Sequence, residues 1–275
     1  MSSSRIRRLL VAGGAGFLGS AFVRDRLRAD PEVAITVVDR LARPGAERDL
    51  ADLLDDRRFR LVRGELRDKV LVDELARATE ATVNFASEEF SADSGDPAAF
   101  ARTEVEGTAV LLDAARKYRH QRFLLVSSAD VYAPMSTRPL REDDVVAPGT
   151  VASTFRASAE MLVRAYATIH SLPILITRGV VAYGPQQPST QPVARMITSA
   201  LEGKPFLVNG KGSAERDYLH VDEQVAAIAR VLWKGDPGGI YNIGTGSAIS
   251  GGNLAELILQ LCGKPTSLRH VTSDG

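Results

Sequence analysis

The chain has 275 residues, 44% of them apolar, enough for one large α/β domain or a domain with a small lobe. Its 34 basic and 34 acidic residues balance and so give no electrostatic case for binding nucleic acid or an anionic membrane. One cysteine, Cys262, excludes an internal disulfide and a cysteine metal site, and His120, His170, His220 and His270 are too far apart for ligand spacing.

Met1 to Arg8 is basic, but the apolar run after it is too short for a signal peptide and stops at glycines. No stretch approaches membrane-spanning length, so a cytoplasmic location is expected. Leu9 to Ala12 feeds the cluster Gly13-Gly14-Ala15-Gly16-Phe17-Leu18-Gly19, and a helical pattern follows from Phe17 to Arg28, closed by Asp30-Pro31. The cluster satisfies both Gly14-x-Gly16-x-x-Gly19 and Gly13-x-x-Gly16-x-x-Gly19. Glycine is needed in such a turn because a side chain would block its tight path and hold a phosphate off the backbone. The helix start at Phe17 and Leu18 then directs free N–H groups and a positive dipole end at a pyrophosphate.

Val33 to Val38 predicts a second strand, and Asp39 ends it twenty positions after Gly19. A carboxylate there accepts both ribose hydroxyls of NAD and repels the 2′-phosphate of NADP. The alternatives are a βαβ unit with no ligand and Asp39 as a plain strand-end carboxylate near Arg40 or Arg43.

Residues 40–57 predict a loop with a short helix near Leu50 to Leu54. Strands are expected over Phe59 to Val62, Ala81 to Ala86, Arg122 to Ser127 and Pro173 to Thr177. Helices are expected over Lys69 to Arg77, Ala98 to Tyr118 behind the Asp96-Pro97 cap, and Ser153 to His170. That rhythm makes an α/β fold with a parallel, doubly wound sheet. After Arg178 it breaks into a Tyr183-Gly184-Pro185 turn, a helix from Val193 to Glu202 and a short strand from Pro205 to Val208. A helix capped by Asp222, a return strand at Ile240 to Ile243 and a last helix from Asn253 to Cys262 follow. The expected division is a nucleotide domain of residues 1–179 plus about 219–243, and a small substrate lobe of about 180–218 plus 244–275.

In order along the chain stand Gly13 to Ser20, Val83-Asn84-Phe85-Ala86, Val105-Glu106-Gly107-Thr108 and Val126-Ser127-Ser128. Thr177-Arg178, Tyr183-Gly184-Pro185, Arg216-Asp217-Tyr218-Leu219 and Tyr241-Asn242-Ile243-Gly244 follow. With these motifs the chain resembles the extended short-chain dehydrogenases/reductases, specifically their nucleotide-sugar 4,6-dehydratase and 4-epimerase branch. The resemblance implies a Rossmann domain holding NAD and a C-terminal lobe holding a nucleoside diphosphate sugar. It implies chemistry begun by oxidising the sugar C4 hydroxyl, with a tyrosine as base, a lysine four residues later tuning it, and NAD taking the hydride. In dehydratases an Asp-Glu pair after the fifth strand then eliminates water. It also implies a homodimer paired through two long helices, here Ala98 to Tyr118 and Ser153 to His170, although the Met161, Leu162, Ala165, Tyr166 and Ile169 stripe equally fits a core face.

On the NAD side the resemblance carries over Gly13, Gly16, Phe17, Leu18, Gly19, Asp39 and Arg40. It adds Glu65 in place of the usual aspartate near the adenine, Leu66 beside it, and Ala86 and Ser87 on the fourth-strand wall. The catalytic pair departs from the pattern. Ala152 stands at the tyrosine and Arg156 at the lysine, and none of Tyr118, Tyr132, Tyr166, Tyr183, Tyr218 and Tyr241 has a lysine four positions on. Arginine stays protonated and relays no proton, though it can contact a ribose or phosphate. Glu104 replaces the asparagine expected in its helix. The Asp-Glu pair becomes Ala129-Asp130, of which Asp130 can still act as a base. Glu88 stands where dehydratases keep a glutamate, with Glu89 beside it; the pair is either an acid and a base in a cleft or a solvated loop. In the lobe, Ala182 and Gln191 replace an asparagine and a lysine, while Arg216 remains at the diphosphate position, or pairs with Asp217 or Glu215.

The sequence therefore points to an NAD-binding enzyme, with NAD either structural or reactive, that has left the standard redox path. Asp130, Glu88 or Glu89, Ser128 and Tyr183 are its candidate proton-transfer groups, for elimination, isomerisation or cyclisation of a small substrate, a natural-product intermediate being one candidate. The alternatives are a conventional dehydratase or epimerase with replacement residues, and a catalytically inactive dinucleotide sensor or partner subunit.

Overall fold

A computed structural model describes residues 6–43, 45–88, 96–133, 138–208 and 212–271. In chain order the elements are β1 (Arg8–Ala12), α1 (Phe17–Ala29), β2 (Ala34–Asp39), β3 (Phe59–Arg63), α2 (Lys69–Arg77) and β4 (Ala81–Asn84). Then come α3 (Pro97–Phe100), a π-helical segment (Ala101–Gly107), α4 (Thr108–Lys117), β5 (Arg122–Ser128), α5 (Val151–His170) and β6 (Ile174–Gly179). The later elements are β7 (Val181–Tyr183), α6 (Pro192–Glu202), β8 (Phe206–Val208), β9 (Glu215–His220), α7 (Val221–Lys234), β10 (Ile240–Ile243), β11 (Ala248–Ser250), α8 (Gly251–Leu261) and β12 (Arg269–Val271).

The chain divides into two compact units, Met1–Gly179 with Val225–Ile243, and Val180–Gln224 with Gly244–Gly275. The first holds a seven-stranded sheet in the order β10-β6-β5-β4-β1-β2-β3. Every pairing in it is parallel. This is the Rossmann-type doubly wound sheet: the order reverses between β1 and β4, so a crevice opens at the carboxyl ends of those strands. The central strands β4 and β6 are buried along their whole length, on both faces of the sheet, even at their polar residues Thr82, Asn84, Thr177 and Arg178. One core under the sheet joins Leu10, Val38, Leu75, Leu111, Phe123, Val163 and Ile176.

Helix ends follow local chemistry. Asp68 caps α2 by accepting the N–H groups of Val70 and Leu71, each at 3.0 Å. Asp96 caps α3 by accepting from Ala98 at 2.9 Å, with Pro97 in the first turn. Thr150 and Ser153 form a reciprocal capping box for α5.

Two local expectations are corrected. The helix from Ala98 to Tyr118 is not uniform, because Ala101–Gly107 is wound as a π-helix, and spacing alone does not reveal an extra residue in a turn. Asp222 does not cap α7; the helix starts at Val221, straight out of β9, and the N–H of Asp222 donates to His220 Nδ1 at 3.3 Å.

In the second unit β9 pairs antiparallel with β11 and parallel with β7, and β8 pairs parallel with β12. Of these strands only β8 was expected from sequence; β7, β11 and β12 have three residues each, too few for a periodic signal, whereas the six-residue β9 was read only as a motif. Val193, Met196, Phe206, Val208, Ile258 and Leu259 form this unit's own core.

Candidate functional site

The glycines at the end of β1 serve different ends. Gly13 has φ +70°, and a Cβ on it would lie 2.5 Å from the backbone nitrogen of Ala86. Gly19 lets α1 approach the turn, since a Cβ there would lie 2.3 Å from the Gly13 carbonyl oxygen. Gly16 is different: a Cβ on it would meet only that carbonyl oxygen, at 3.3 Å, so its other side is open. Gly16 is also the N-cap of α1 and supplies no capping side chain, and the first turn holds no acidic residue. Unshielded N–H groups, the helix dipole and an open glycine are what a pyrophosphate requires, and the cradle therefore fits a dinucleotide.

Asp39, at the end of β2, accepts the N–H of Ala15 at 2.9 Å and that of Leu41 at 2.8 Å. The arginines near it are engaged elsewhere. Arg40 Nη2 lies 2.8 Å from Glu88 Oε2, while Arg43 pairs with Asp49 and donates to the Ala15 carbonyl at 3.0 Å. Glu65 is exposed and Leu66 buried after β3, and a Cβ on Gly107 would lie 3.0 Å from Leu66 Cβ.

Beyond β4, the Ala86 N–H donates to Asn84 Oδ1 at 3.0 Å and the Asn84 amide donates to Thr108 Oγ1 at 3.1 Å, which fixes the strand exit. Ser87 Oγ donates to Glu104 Oε1 at 2.6 Å, and Arg156 donates to Ser87 Oγ. The Arg156 guanidinium is also 3.4 Å from the Glu104 carboxylate, which is 4% exposed. Thr103, beside Glu104 in the π segment, donates to the second oxygen of Glu88. Both Glu88 oxygens are thus hydrogen-bonded, and Glu88 is an ion-paired carboxylate rather than a solvated one. Glu89 lies outside the described residues.

At the end of β5, Ser128 Oγ accepts the N–H of Asp130 at 3.1 Å. Ser127 Oγ donates to Glu160 at 2.5 Å, and Glu160 holds the buried Arg178, whose Nη1 donates to the Tyr132 hydroxyl at 2.7 Å. Burial opposes the charge on Arg178, but its hydrogen bonds to Glu160 and Tyr132 outweigh that and raise its pKa.

In the second unit, Tyr183 packs edge-on against His220 with ring centroids 5.4 Å apart. Arg216 lies on β9 opposite Ile249. Beside it on the same strand, the Asp217 carboxylate accepts the N–H groups of Thr245 and Gly246 at 2.8 and 2.9 Å. Among the described residues, no His, Cys, Asp and Glu group could hold a metal, and no helix is long and apolar enough to cross a membrane.

The model of the NAD dependent epimerase/dehydratase family matches residues 9–244, from β1 to the end of β10. The chain belongs to that family. A low-salt glycan biosynthesis protein of Haloferax volcanii is 40% identical over 256 residues, spanning 93% of this chain and 82% of that protein. A dTDP-glucose 4,6-dehydratase of Streptomyces niveus is 37% identical over 270 residues, 96% of this chain and 80% of that protein. Among solved structures, the dTDP-glucose 4,6-dehydratase of Bacillus anthracis in complex with NAD superposes with a TM-score of 0.91 at 33% identity, covering 98% of this chain and 85% of that one. The expected kinship to the nucleotide-sugar dehydratase and epimerase branch holds across the family fold.

Within this epimerase/dehydratase frame, the structure brings Gly13, Gly16, Gly19, Asp39 and Ala86 together around the β1 turn, with Arg40 and Glu88 joined beside them. Ser87 and Arg156 meet as well, and the residue that joins them is Glu104, which sequence reading registered only as a departure. Nothing in the sequence set it apart from Arg102 and Glu106, the other charged residues of the same segment, although Glu104 is the charged residue there that is buried. Thr103 carried no signal at all.

Proposed function

We propose that this epimerase/dehydratase family member binds NAD in the glycine cradle and carries out proton-transfer chemistry, an elimination, isomerisation or cyclisation, without the standard tyrosine–lysine route. Its substrate class is a nucleoside diphosphate sugar or a related natural-product intermediate, as the names of its relatives support. The observation that carries this is the cluster of Ser87, Glu104 and Arg156. The side chain aligned with the tuning lysine spends its guanidinium on a serine and a buried carboxylate, and Ala152, aligned with the tyrosine, has nothing to ionise.

Each phenol of the first unit already has a hydrogen-bond partner, which supports this reading. Tyr118 donates to Asp73 at 2.6 Å, Tyr132 to Asn242 at 2.7 Å and Tyr166 to Asp113 at 2.9 Å. Tyr241 accepts the N–H of Asp236 at 2.7 Å. Burial, then the contact with Asp113, raises the Tyr166 pKa, the wrong direction for a base.

When bound, NAD supplies a nicotinamide ring able to accept a hydride. The chain's own contribution is to seat the pyrophosphate on the N–H groups at Phe17, Leu18 and Gly19, and the adenosine ribose on Asp39, beside Leu66 and the exposed Glu65. Asp130 is the proposed base at the β5 exit, with Ser128 shaping its turn. Tyr183 and Arg216, in the second unit, are proposed for substrate protonation and diphosphate binding. A homodimer through α5 is supported by Met161 and Ile169, exposed at 62% and 72% on that helix.

Purified protein, denatured and assayed for released nucleotide, is expected to yield NAD or to bind it on titration. Incubation with dTDP-glucose and UDP-glucose is expected to give no keto sugar at an ordinary enzymatic rate. Failure to release or bind NAD removes the cofactor assignment. Rapid keto-sugar formation instead establishes the second reading, a conventional dehydratase with replacement groups, which identities of 34–40% to dehydratases and glycan enzymes favour.

A further inference from the structure

Three strands at the centre of the crevice set the scene. β1 lies between β2 and β4, so the segments leaving those two strands flank the glycine turn. Arg40 leaves β2 directly after Asp39, and Glu88 leaves β4 four residues after Asn84. Their side chains meet at 2.8 Å, joining the two segments on either side of β1. The Arg40 side chain is 36% exposed and that of Glu88 13% exposed, and Thr103 of the π segment holds the second Glu88 oxygen.

An arginine next to the acid at the end of the second strand is the residue type that accommodates the 2′-phosphate of NADP. Here that guanidinium is already neutralised by a carboxylate that is itself anchored. A phosphate arriving at the ribose would have to strip Arg40 from Glu88, leaving a mostly buried carboxylate unpaired, or face Asp39 without a counter-charge. Arg43, the next arginine along the loop, is likewise committed to Asp49 and to the Ala15 carbonyl.

We infer that Glu88 is a cofactor-selectivity residue: by sequestering Arg40 it makes the cradle discriminate against NADP beyond what Asp39 achieves. This rests on NAD occupying the cradle as proposed above. Glu88 acts through Arg40 and is a positioning residue, not a proton carrier.

The test is equilibrium binding of NAD and of NADP to nucleotide-stripped protein by calorimetry, for the wild type, Glu88→Ala, Glu88→Gln and the double variant Glu88→Ala/Arg40→Ala, with thermal melts to verify folding. The readout is the ratio of the two dissociation constants, which a merely structural role for Glu88 would leave constant. Glu88→Ala and Glu88→Gln should each shift the ratio about tenfold toward NADP, the size of one released charge contact, and removal of Arg40 in the double variant should cancel the shift. A ratio unchanged in both single variants, or a shift that survives loss of Arg40, overturns the inference while leaving the cofactor assignment intact. Should the wild type bind neither nucleotide, the cofactor assignment itself fails, and the inference with it. The isosteric glutamine keeps the test decisive if the alanine variant unfolds.

Discussion

Glu160 on α5 grips Arg178 on β6 with both of its oxygens: Arg178 Nε lies 3.2 and 3.1 Å from the two, and Nη2 lies 2.7 Å from one of them. Arg178 is 1% exposed, so both charges have left water and depend on each other. Ser127 donates to Glu160, Arg178 Nη1 donates to the Tyr132 hydroxyl and to the Glu142 carbonyl, and Tyr132 passes the chain of bonds to Asn242 on β10. The pair thus ties the β5–β6–β10 side of the sheet to the helix that carries Arg156.

Breaking such a pair from one side strands a buried charge. Glu160→Ala and Arg178→Ala should each cost about 3–5 kcal/mol in urea unfolding. Glu160→Leu/Arg178→Met, which removes both charges together, should cost clearly less than either single change. Equal losses in all three variants would show that packing, not charge pairing, dominates there.

The glycines of the β1 turn should separate folding from binding. Gly13→Ala forces a side chain into a positive φ and against the Ala86 backbone, so it should destabilise the protein by about 2 kcal/mol or more. Gly16→Ala has room in the protein and should leave the melting temperature nearly unchanged, while NAD affinity falls at least about tenfold because its methyl stands where the phosphate must approach. Melting curves with and without NAD read both effects.

His120 is buried between Thr82 and the Ala76 carbonyl, with both ring nitrogens hydrogen-bonded at 2.9 Å. The carbonyl can only accept, so Nε2 carries a proton, and in the neutral ring that burial favours Nδ1 accepts from the Thr82 hydroxyl. Burial lowers its pKa, partly offset by the Ala76 contact. At neutral pH and above, neither the folded nor the unfolded chain protonates this ring. As pH falls through about 6.5, the unfolded chain gains a proton that the fold refuses, so stability declines until the lower folded pKa is reached. Urea midpoints from pH 7 to 5 should fall more steeply in the wild type than in His120→Gln.

If the missing pair is what holds back hydride transfer, replacing it should restore some. Ala152→Tyr/Arg156→Lys should raise NADH formation from dTDP-glucose by about 10²-fold over the wild type in single-turnover absorbance, the scale of general base catalysis. Arg156→Lys alone should give no gain, since it tunes no phenol. A gain from the single change would place the missing base elsewhere.

Glycine spacing, the carboxylate that ends the second strand, the alternation of strands with helices, and the absence of any tyrosine with a lysine four positions on were all legible in the linear chain. These are local properties: steric allowance at one residue, periodicity within one element, spacing along one turn. The partners of Arg40, Arg156 and Ser87 were not legible. Glu88 is 48 positions from Arg40, and Ser87 and Glu104 are 69 and 52 positions from Arg156. The π turn that presents Thr103 and Glu104 side by side leaves no trace in apolar spacing, and β7, β9 and β11 exist only because they find one another. Charge pairing acts through space, so which carboxylate neutralises which arginine, and hence whether Glu88 is a free base or a tethered one, was decided only when the folded sheet brought the ends of β2 and β4 to either side of the same glycine turn.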